Sequence, residues 1–312
     1  MIKLIAPPHL MKVYLKRHCD KLLPLIRTRL DQPENLCLKD HFKTDGEILE
    51  ILAAKPNDLV PLHEKIVSDL EKLHLPVKVW TALEKAFNET EFFRKERVRY
   101  NAYTLVRSLK QPTCLYCNIH QIAPVYLEKK ISRPPIDHFF ASDLYPGLSL
   151  SFYNLIPACT ACNTIKSNKP TSTVTHTHPY LLGFGDDCML TLSNFRNLDD
   201  LTGKKIKPFK IVFDNPTIDK RYEGNISLFA LAPTYQTYRG KAHWVMRTMD
   251  QRSKAAVDSA LKLVPGVTDV NYWDVFGVDY EIEAHKRSPY SKLTRDLVRQ
   301  YASQEIKTLL SI

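Results

Sequence analysis

The spacing of apolar residues in the first 110 positions predicts helices. Thr44 and Glu47 have the spacing of a capping box, in which two side chains satisfy the first amides of a helix. The apolar residues that follow are Ile48, Leu49, Ile51 and Leu52. Further on, apolar side chains recur every three or four positions, in the sets Ile66, Leu70, Leu73 and Trp80, Leu83, Phe87. We therefore expect a mostly helical region over residues 1–110, with partner binding as its candidate role.

The pattern changes after residue 182. Short β-prone runs occur at Met189–Leu192, Phe209–Phe213 and Ile226–Leu231. Helical spacing returns at Ala255–Leu263 and Leu293–Leu310, with Ser291 as the candidate N-cap of the last helix. These runs predict an α+β region over residues 183–312. Between the two regions, residues 111–182 hold four of the seven cysteines and few charged residues, which indicates a separate small module. The predicted fold class of the whole chain is α+β.

Composition limits the class of protein. A length of 312 residues suits about two domains. The contents of 44% apolar and 25% charged residues exclude a mostly disordered chain. No apolar run approaches the ~20 residues that span a bilayer. The apolar stretch at the first residues is too short and too interrupted for a signal peptide. We therefore expect a cytoplasmic protein with reduced thiols and no membrane partner.

The net charge of +10 is compatible with nucleic-acid binding and equally with simple solubility. The excess is spread along the chain. Residues 111–182 have five basic and three acidic side chains, so only +2 of the net charge lies there. Charge alone does not choose between the two interpretations.

Two Cys-x-x-Cys pairs stand out in the middle region: Cys114, Cys117, Cys159 and Cys162. Two residues between cysteines let both thiolates face one metal ion, and two such pairs complete a tetrahedral sulfur site, which favours Zn²⁺. A site with four protein ligands has no open position, so we expect a structural zinc. The alternatives are four unrelated buried thiols or a redox pair. Cys19, Cys37 and Cys188 lack such partners and are expected to be small buried residues.

The cysteines enclose a second set of residues. Asp137 and His138 come first, Asn154 and Leu155 follow, and Asn163 and Lys166 come directly after the last cysteine pair. In this order the segment Cys114–Tyr180 resembles the HNH endonucleases, the ββα-metal nucleases, in the subclass whose fold is tied by four cysteines. The resemblance implies a ββα-metal finger and the hydrolysis of phosphodiester bonds in nucleic acid.

The chemistry of these residues suits that reaction. His138 is the candidate general base, because a neutral imidazole near pH 7 accepts a proton from water. The resemblance implies that Asp137 ligates the catalytic metal, and Asn163 would supply a second oxygen ligand. Two hard oxygen ligands suit Mg²⁺ or Mn²⁺. Asn154 corresponds to the family's central asparagine, which holds the loop between the two strands by hydrogen bonds to the backbone.

Three further residues are weaker candidates for substrate binding. Lys166 lies three residues after Asn163, so it is either a phosphate contact on the same helical face or a solvated surface lysine. His178, followed by Pro179 and Tyr180, is a candidate metal ligand or phosphate contact. Arg99 shares a predicted helical face with Lys95 and Tyr103, which is typical of a nucleic-acid surface and equally of a helix packing its aromatic side chains.

A longer string resembles one bacterial branch of the HNH nucleases. It joins Asp137-His138-Phe139, Tyr145-Pro146 and Asn154-Leu155-Ile156-Pro157-Ala158-Cys159. The branch includes the PtuB-like effectors of anti-phage Septu and retron-linked systems, which implies an ATPase partner of PtuA type. The chain departs from the branch at Ala141-Ser142, where Pro-Lys is common. Two alternatives stay open: a nuclease that acts on RNA such as tRNA, and a catalytically silent zinc-ribbon adaptor that binds nucleic acid or protein.

Overall fold

Helices make up the first part of the chain. The computed structural model describes residues 2–4, 8–88, 100–126, 130–195, 208–215, 219–251 and 288–309. The helices in this part are α1 (Pro8–Leu30), α2 (Asp45–Ala53), α3 (Leu59–Glu71), α4 (Pro76–Ala86) and α5 (Ala102–Leu109), with a 3-10 helix at Pro33–Asp40. The prediction of a mostly helical front is confirmed for the described residues. Arg99 and Lys95 lie outside them.

The predicted capping box forms at the start of α2. The Thr44 hydroxyl oxygen accepts a hydrogen bond from the Gly46 amide at 3.1 Å, and the Thr44 amide donates to the Glu47 carboxylate at 2.8 Å. The apolar residues behind this cap, Ile48, Ile51 and Leu52, are fully buried. Leu73 differs from the prediction: α3 ends at Glu71, so Leu73 falls in the following turn and is 67% exposed.

The middle of the chain contains short antiparallel strands and one short helix. β1 (Val125–Tyr126) pairs with β2 (Lys130–Ser132), and β3 (Ile136–His138) pairs with β4 (Leu155–Pro157). In the second pair Asp137 lies opposite Ile156, and His138 lies opposite Leu155. Two 3-10 turns, Pro146–Leu148 and Phe152–Asn154, connect β3 to β4, and α6 (Thr160–Lys166) follows β4.

The C-terminal part mixes one strand pair with helices. β5 (Met189–Leu192) pairs antiparallel with β6 (Ile211–Asp214), as two of the predicted runs require. The helices are α7 (Lys220–Leu228), α8 (Leu231–Gln236), α9 (Arg239–Gln251), α10 (Ser291–Tyr301) and α11 (Gln304–Leu309). The described chain is therefore a mixed α and β structure, which agrees with the predicted α+β class. The predicted helix Ala255–Leu263 lies outside the described residues.

Two predictions for this part were wrong. The run Ile226–Leu231 is not extended: residues 226–228 end α7, a turn follows, and Leu231 begins α8. Asp219 caps α7 by accepting from the Arg221 amide at 2.8 Å, and the helix buries Tyr222. Ser291 is the first residue of α10 rather than its cap. The cap comes from a distant part of the chain, because the Asn118 side chain accepts a hydrogen bond from the Lys292 amide at 3.0 Å.

Both flanking regions pack against the middle. From the N-terminal side, Ser151 donates to the carbonyl of Ile51 at 2.7 Å, and the His18 ring contacts the carbonyl of Leu150 at 2.7 Å. From the C-terminal side, the Tyr235 hydroxyl donates to the carbonyl of Cys117 at 2.7 Å. The cysteine-bearing segment is therefore enclosed from both directions. No helix in the described parts of the chain is long and apolar enough to cross a membrane.

Three buried histidines make the fold sensitive to acid. Burial lowers the pKa of His18 and of His63 to about 4, and that of His178 to about 3, from an ordinary value of 6.5. Between pH 6.5 and 4 the unfolded chain therefore binds more protons than the folded chain, so stability falls as the pH falls. At pH 5 each histidine should cost about 2 kcal/mol. We expect the free energy of unfolding in urea to be several kcal/mol smaller at pH 5 than at pH 7.5.

The variant His63→Leu is the matched test. The Nε2 atom of His63 is buried without a hydrogen-bond partner, so replacing the ring removes an unsatisfied group as well as a site of protonation. The difference in unfolding free energy between pH 7.5 and pH 5 should shrink by about 2 kcal/mol in this variant. An unchanged difference would show that His63 does not contribute to the acid sensitivity.

Candidate active site and metal centre

The four cysteines predicted to bind zinc form one buried cluster. All four Sγ atoms of Cys114, Cys117, Cys159 and Cys162 lie within 4.8 Å of one another. The Sγ atoms of Cys117 and Cys159 are 3.9 Å apart. Tetrahedral Zn²⁺ with bonds of about 2.3 Å places its sulfur ligands about 3.8 Å from each other. The cluster is therefore close enough to bind a metal ion such as zinc.

Backbone amides point at the sulfur atoms of this cluster. The Cys159 amide donates to Cys114 Sγ at 3.3 Å, the Ile119 amide donates to Cys117 Sγ at 3.4 Å, and the Cys162 amide donates to Cys159 Sγ at 3.4 Å. Such donors stabilise thiolates, the form in which cysteine binds a metal. All seven cysteines are free thiols, and Cys19, Cys37 and Cys188 are buried, as predicted.

Three of the predicted reactive residues line one cleft of about 340 Å³: Asp137, His138 and Asn163. β3 supplies the first two, and α6 supplies the third. Neighbouring strand residues usually point to opposite faces, but β3 ends at His138 and the chain bends directly after it. Asp137 is buried, whereas His138 and Asn163 are half-buried. The cleft therefore combines a carboxylate, an imidazole and an amide.

The contacts of His138 assign its tautomer. Its Nε2 atom lies 3.0 Å from the carbonyl oxygen of Ser149. A carbonyl oxygen only accepts hydrogen bonds, so Nε2 donates. In the neutral ring the lone pair is then on Nδ1. The backbone of the loop before β4 thus determines which nitrogen of His138 accepts a proton.

Asp137 is held by two buried side chains. The Tyr116 hydroxyl donates to Oδ2 at 2.6 Å, and the Lys166 ammonium lies 3.4 Å from Oδ1. Burial raises the pKa of the Asp137 carboxyl, against the opposing effect of the Lys166 charge. Burial likewise lowers the pKa of the Lys166 ammonium. Tyr116 and Lys166 occupy only part of the acceptor capacity of this carboxylate, which has about four lone-pair positions.

The position of Lys166 corrects the sequence analysis. Neither a phosphate contact nor a solvated lysine fits, because the side chain is fully buried. Its ammonium group donates to the carbonyl oxygen of His138 at 2.5 Å in addition to facing Asp137. Lys166 therefore connects α6 to β3 directly behind the cleft.

Asn154 lies behind the cleft and is fully buried. Its side-chain oxygen accepts from the Phe140 amide at 2.7 Å, and its amide group donates to the carbonyls of Phe140 and Leu148, both at 3.0 Å. These are the backbone contacts predicted for it. They close the loop between β3 and β4, which also contains Ser149, the partner of His138.

His178 was predicted to bind metal or phosphate, and the structure places it elsewhere. The ring is buried among aromatic side chains, with its centroid 4.2 Å from that of Phe139, and it does not line the cleft. Its Nδ1 atom accepts from the Tyr180 amide at 3.3 Å. A substrate or a metal in the cleft has no access to this ring.

Sequence reasoning missed Tyr116 and Ser149, which orient the two reactive residues of β3. Tyr116 lies between the first two cysteines, and its ring stacks on Phe229 of the C-terminal part, with centroids 4.1 Å apart. Its aromatic character within the Cys-x-x-Cys pair was visible, but no local spacing connects it to Asp137. Ser149 acts through its carbonyl, which no side-chain pattern reveals.

In comparisons with known protein families, curated proteins and solved structures, the chain has no match in any of the three.

Proposed function

We propose that this protein is a metal-dependent endonuclease of the HNH type, which hydrolyses phosphodiester bonds in nucleic acid. The observation that carries the proposal is the meeting of Asp137, His138 and Asn163 in one cleft, beside a buried cluster of four cysteines. Their order along the chain is that of the family the sequence resembles. The strand pair β3–β4 followed by α6 is compatible with a ββα-metal finger.

In this proposal the cysteine cluster holds a structural zinc. All four sulfur atoms face one another, so a bound ion has no open position for water. The side chain of Cys159 caps α6 by accepting from the Cys162 amide, which fixes the start of the helix that carries Asn163. Tyr116, between the other two cysteines, reaches Asp137. The cluster thereby positions two groups of the cleft.

His138 is the general base in this scheme, taking a proton from the attacking water at Nδ1 while Nε2 stays bonded to the carbonyl of Ser149. Asp137 and Asn163 offer the oxygen ligands for Mg²⁺ or Mn²⁺. When bound, such an ion polarises the scissile phosphate and relieves charge on the leaving oxygen. Because Lys166 shares the Asp137 carboxylate, its charge opposes cation binding there and lowers the affinity for the ion.

The test is a cleavage assay with purified protein on plasmid DNA, single-stranded DNA and total RNA. We expect strand scission of DNA that requires added Mg²⁺ or Mn²⁺ and stops when the divalent ion is left out. Cleavage of RNA alone would mean that the protein is an RNA nuclease rather than a DNA nuclease. If the protein binds a polymer tightly but cleaves none of the three under any condition, the nuclease proposal is wrong and the zinc-ribbon adaptor is favoured.

The resemblance to PtuB-like effectors extends the proposal to cellular role. We propose that the protein acts in anti-phage defence with an ATPase of PtuA type in the cytoplasm. The cleavage assay therefore includes a second arm with an ATPase of PtuA type and with ATP. Co-purification of the two proteins, with cleavage that depends on the complex, is the expected result. If the two proteins do not associate, the proposed role in defence is wrong, whereas the proposed nuclease activity is unaffected.

A further inference from the structure

A second cavity of about 410 Å³ lies next to the cleft, along the same strand and helix. Residues 132–135, which lead directly into β3, line it on one side, and Thr160 and Ala161 at the start of α6 line it on the other. The cleft is lined by residues 136–138, which follow on the first segment, and by Asn163, Thr164 and Ser167, which follow on the second. Consecutive stretches of the same two segments therefore line the two cavities. We call the second one the Arg133 groove.

The Arg133 groove has the chemistry of an anion site. None of the eleven described residues that line it is Asp or Glu, one is Arg133, and Cys159 of the cysteine cluster is also among them. Gln121, Ser132 and Thr160 are exposed and add uncharged hydrogen-bond donors. The neighbouring cleft differs, because it contains the Asp137 carboxylate. An anionic ligand without its own metal ion is thus favoured in the Arg133 groove and disfavoured in the cleft.

The guanidinium of Arg133 is oriented by two contacts. One nitrogen donates to the carbonyl oxygen of Pro134 at 3.0 Å, and the central carbon lies 5.9 Å from the ring centroid of Tyr103 on α5. The second distance is within the range of a cation–π contact. Across the residues that the structure describes, Arg133 forms no ion pair with a carboxylate. A planar guanidinium with five N–H donors suits a phosphate, to which it can donate two bonds at once.

We propose that the Arg133 groove binds a phosphate of the nucleic-acid strand that flanks the phosphate undergoing cleavage. This inference rests on the proposed nuclease function and adds a second point at which the protein contacts the strand. Arg133 precedes Asp137 by four residues, which spans at most about 13 Å of extended chain. Since nucleotides repeat every ~3.4 Å along one strand of a duplex, this separation places the bound phosphate a few nucleotides from the cleaved bond.

The test separates binding from cleavage. Affinity for a fluorescent 20-nucleotide single strand is measured by anisotropy between 50 and 200 mM KCl without divalent ions, so that no strand is cut. Arg133→Gln should weaken binding about 3- to 10-fold at low salt and reduce the slope of log affinity against log salt by about 0.7, the loss of one phosphate contact. Hydrolysis of bis(p-nitrophenyl) phosphate, which is too small to reach the groove, should stay at the wild-type rate.

Lys21→Gln is the matched control, because it removes one positive charge from an exposed position on α1. It should leave the salt slope at the wild-type value. An equal loss of affinity in the Lys21 and Arg133 variants would mean that only the total charge of the protein matters, and the Arg133 groove would be rejected as a phosphate site. Wild-type affinity and slope in Arg133→Gln would also reject the groove.

Two further measurements keep the outcomes distinct. If Arg133→Gln does not fold, Arg133→Lys replaces it; this variant keeps the charge, so the salt slope should be retained while affinity falls through loss of the two-bonded contact. Undiminished affinity in Arg133→Lys would overturn the proposed geometry. Failure of the nuclease proposal looks different, since the wild-type protein would then cleave neither polymer nor bis(p-nitrophenyl) phosphate, whatever the effect of Arg133 on binding.

Discussion

Replacing Cys162 by serine is expected to release a bound zinc ion and to unfold the middle of the protein. Four buried thiolates around Zn²⁺ contribute on the order of 10 kcal/mol to the folding of a small module, whereas the stability of a whole protein is about 5–15 kcal/mol. Without the ion, the four buried sulfur groups would lose the bonds that join the two cysteine pairs directly. Elemental analysis should find one zinc per wild-type chain and much less in the variant, with a large fall in Tm.

Cys188→Ser is the control for this experiment. Cys188 is as deeply buried as the cluster cysteines but lies outside the cluster. Its replacement buries a hydroxyl group in an apolar setting, which costs about 1–3 kcal/mol, and the zinc content should stay at one per chain. Wild-type zinc content and Tm in Cys162→Ser would exclude the cluster as the metal site.

Loss of a bound zinc should also disorganise the cleft, because residues in and beside the cysteine cluster support two groups of the cleft. Cys159 caps the helix that carries Asn163, and the hydroxyl of Tyr116 reaches Asp137 from within the first cysteine pair. The carbonyl of Cys117 accepts from Tyr235, so the C-terminal part is attached to the same cluster. Within the described residues, the contacts of the cysteine cluster therefore reach both the cleft and the C-terminal part.

Local signals were sufficient to predict the features that depend on neighbouring residues. The capping box of Thr44 and Glu47 needs only four consecutive positions, and it forms as predicted. The alternation in Met189–Leu192 likewise gives a strand. The spacing within each Cys-x-x-Cys pair brings two sulfur atoms together, and the repetition of the pair predicted the cluster of four.

Features set by distant residues could not be predicted in this way. The run Ile226–Leu231 is β-prone by composition, but the burial of Tyr222 and Phe229 on helical turns prevails. The burial of Lys166 depends on a carboxylate 29 positions earlier, which no helical spacing reveals. The cap of α10 comes from Asn118, the residue after the first cysteine pair, so the terminal helix begins where a remote side chain permits.

Replacing His138 by alanine is expected to abolish cleavage while the protein stays folded. A positioned general base contributes about 10²–10⁴-fold to the rate, and His138 is the one imidazole among the described residues that line the cleft. The ring is half-buried, and the carbonyl of Ser149 that it contacts belongs to a loop held separately by Asn154. Tm and zinc content should therefore stay near their wild-type values when turnover is lost.

The control and a second readout decide what the loss of cleavage means. His176→Ala removes a half-buried histidine outside the cleft and should cleave at the wild-type rate. Binding of Mn²⁺, followed by electron paramagnetic resonance, should persist in His138→Ala because Asp137 and Asn163 are intact, and should weaken in Asn163→Ala. A His138→Ala protein that cleaves as fast as wild type would place the base elsewhere. Loss of Mn²⁺ binding in His138→Ala would instead make His138 a metal ligand. With Nε2 donating to the carbonyl of Ser149, the lone pair on Nδ1 can bind either a proton or a cation.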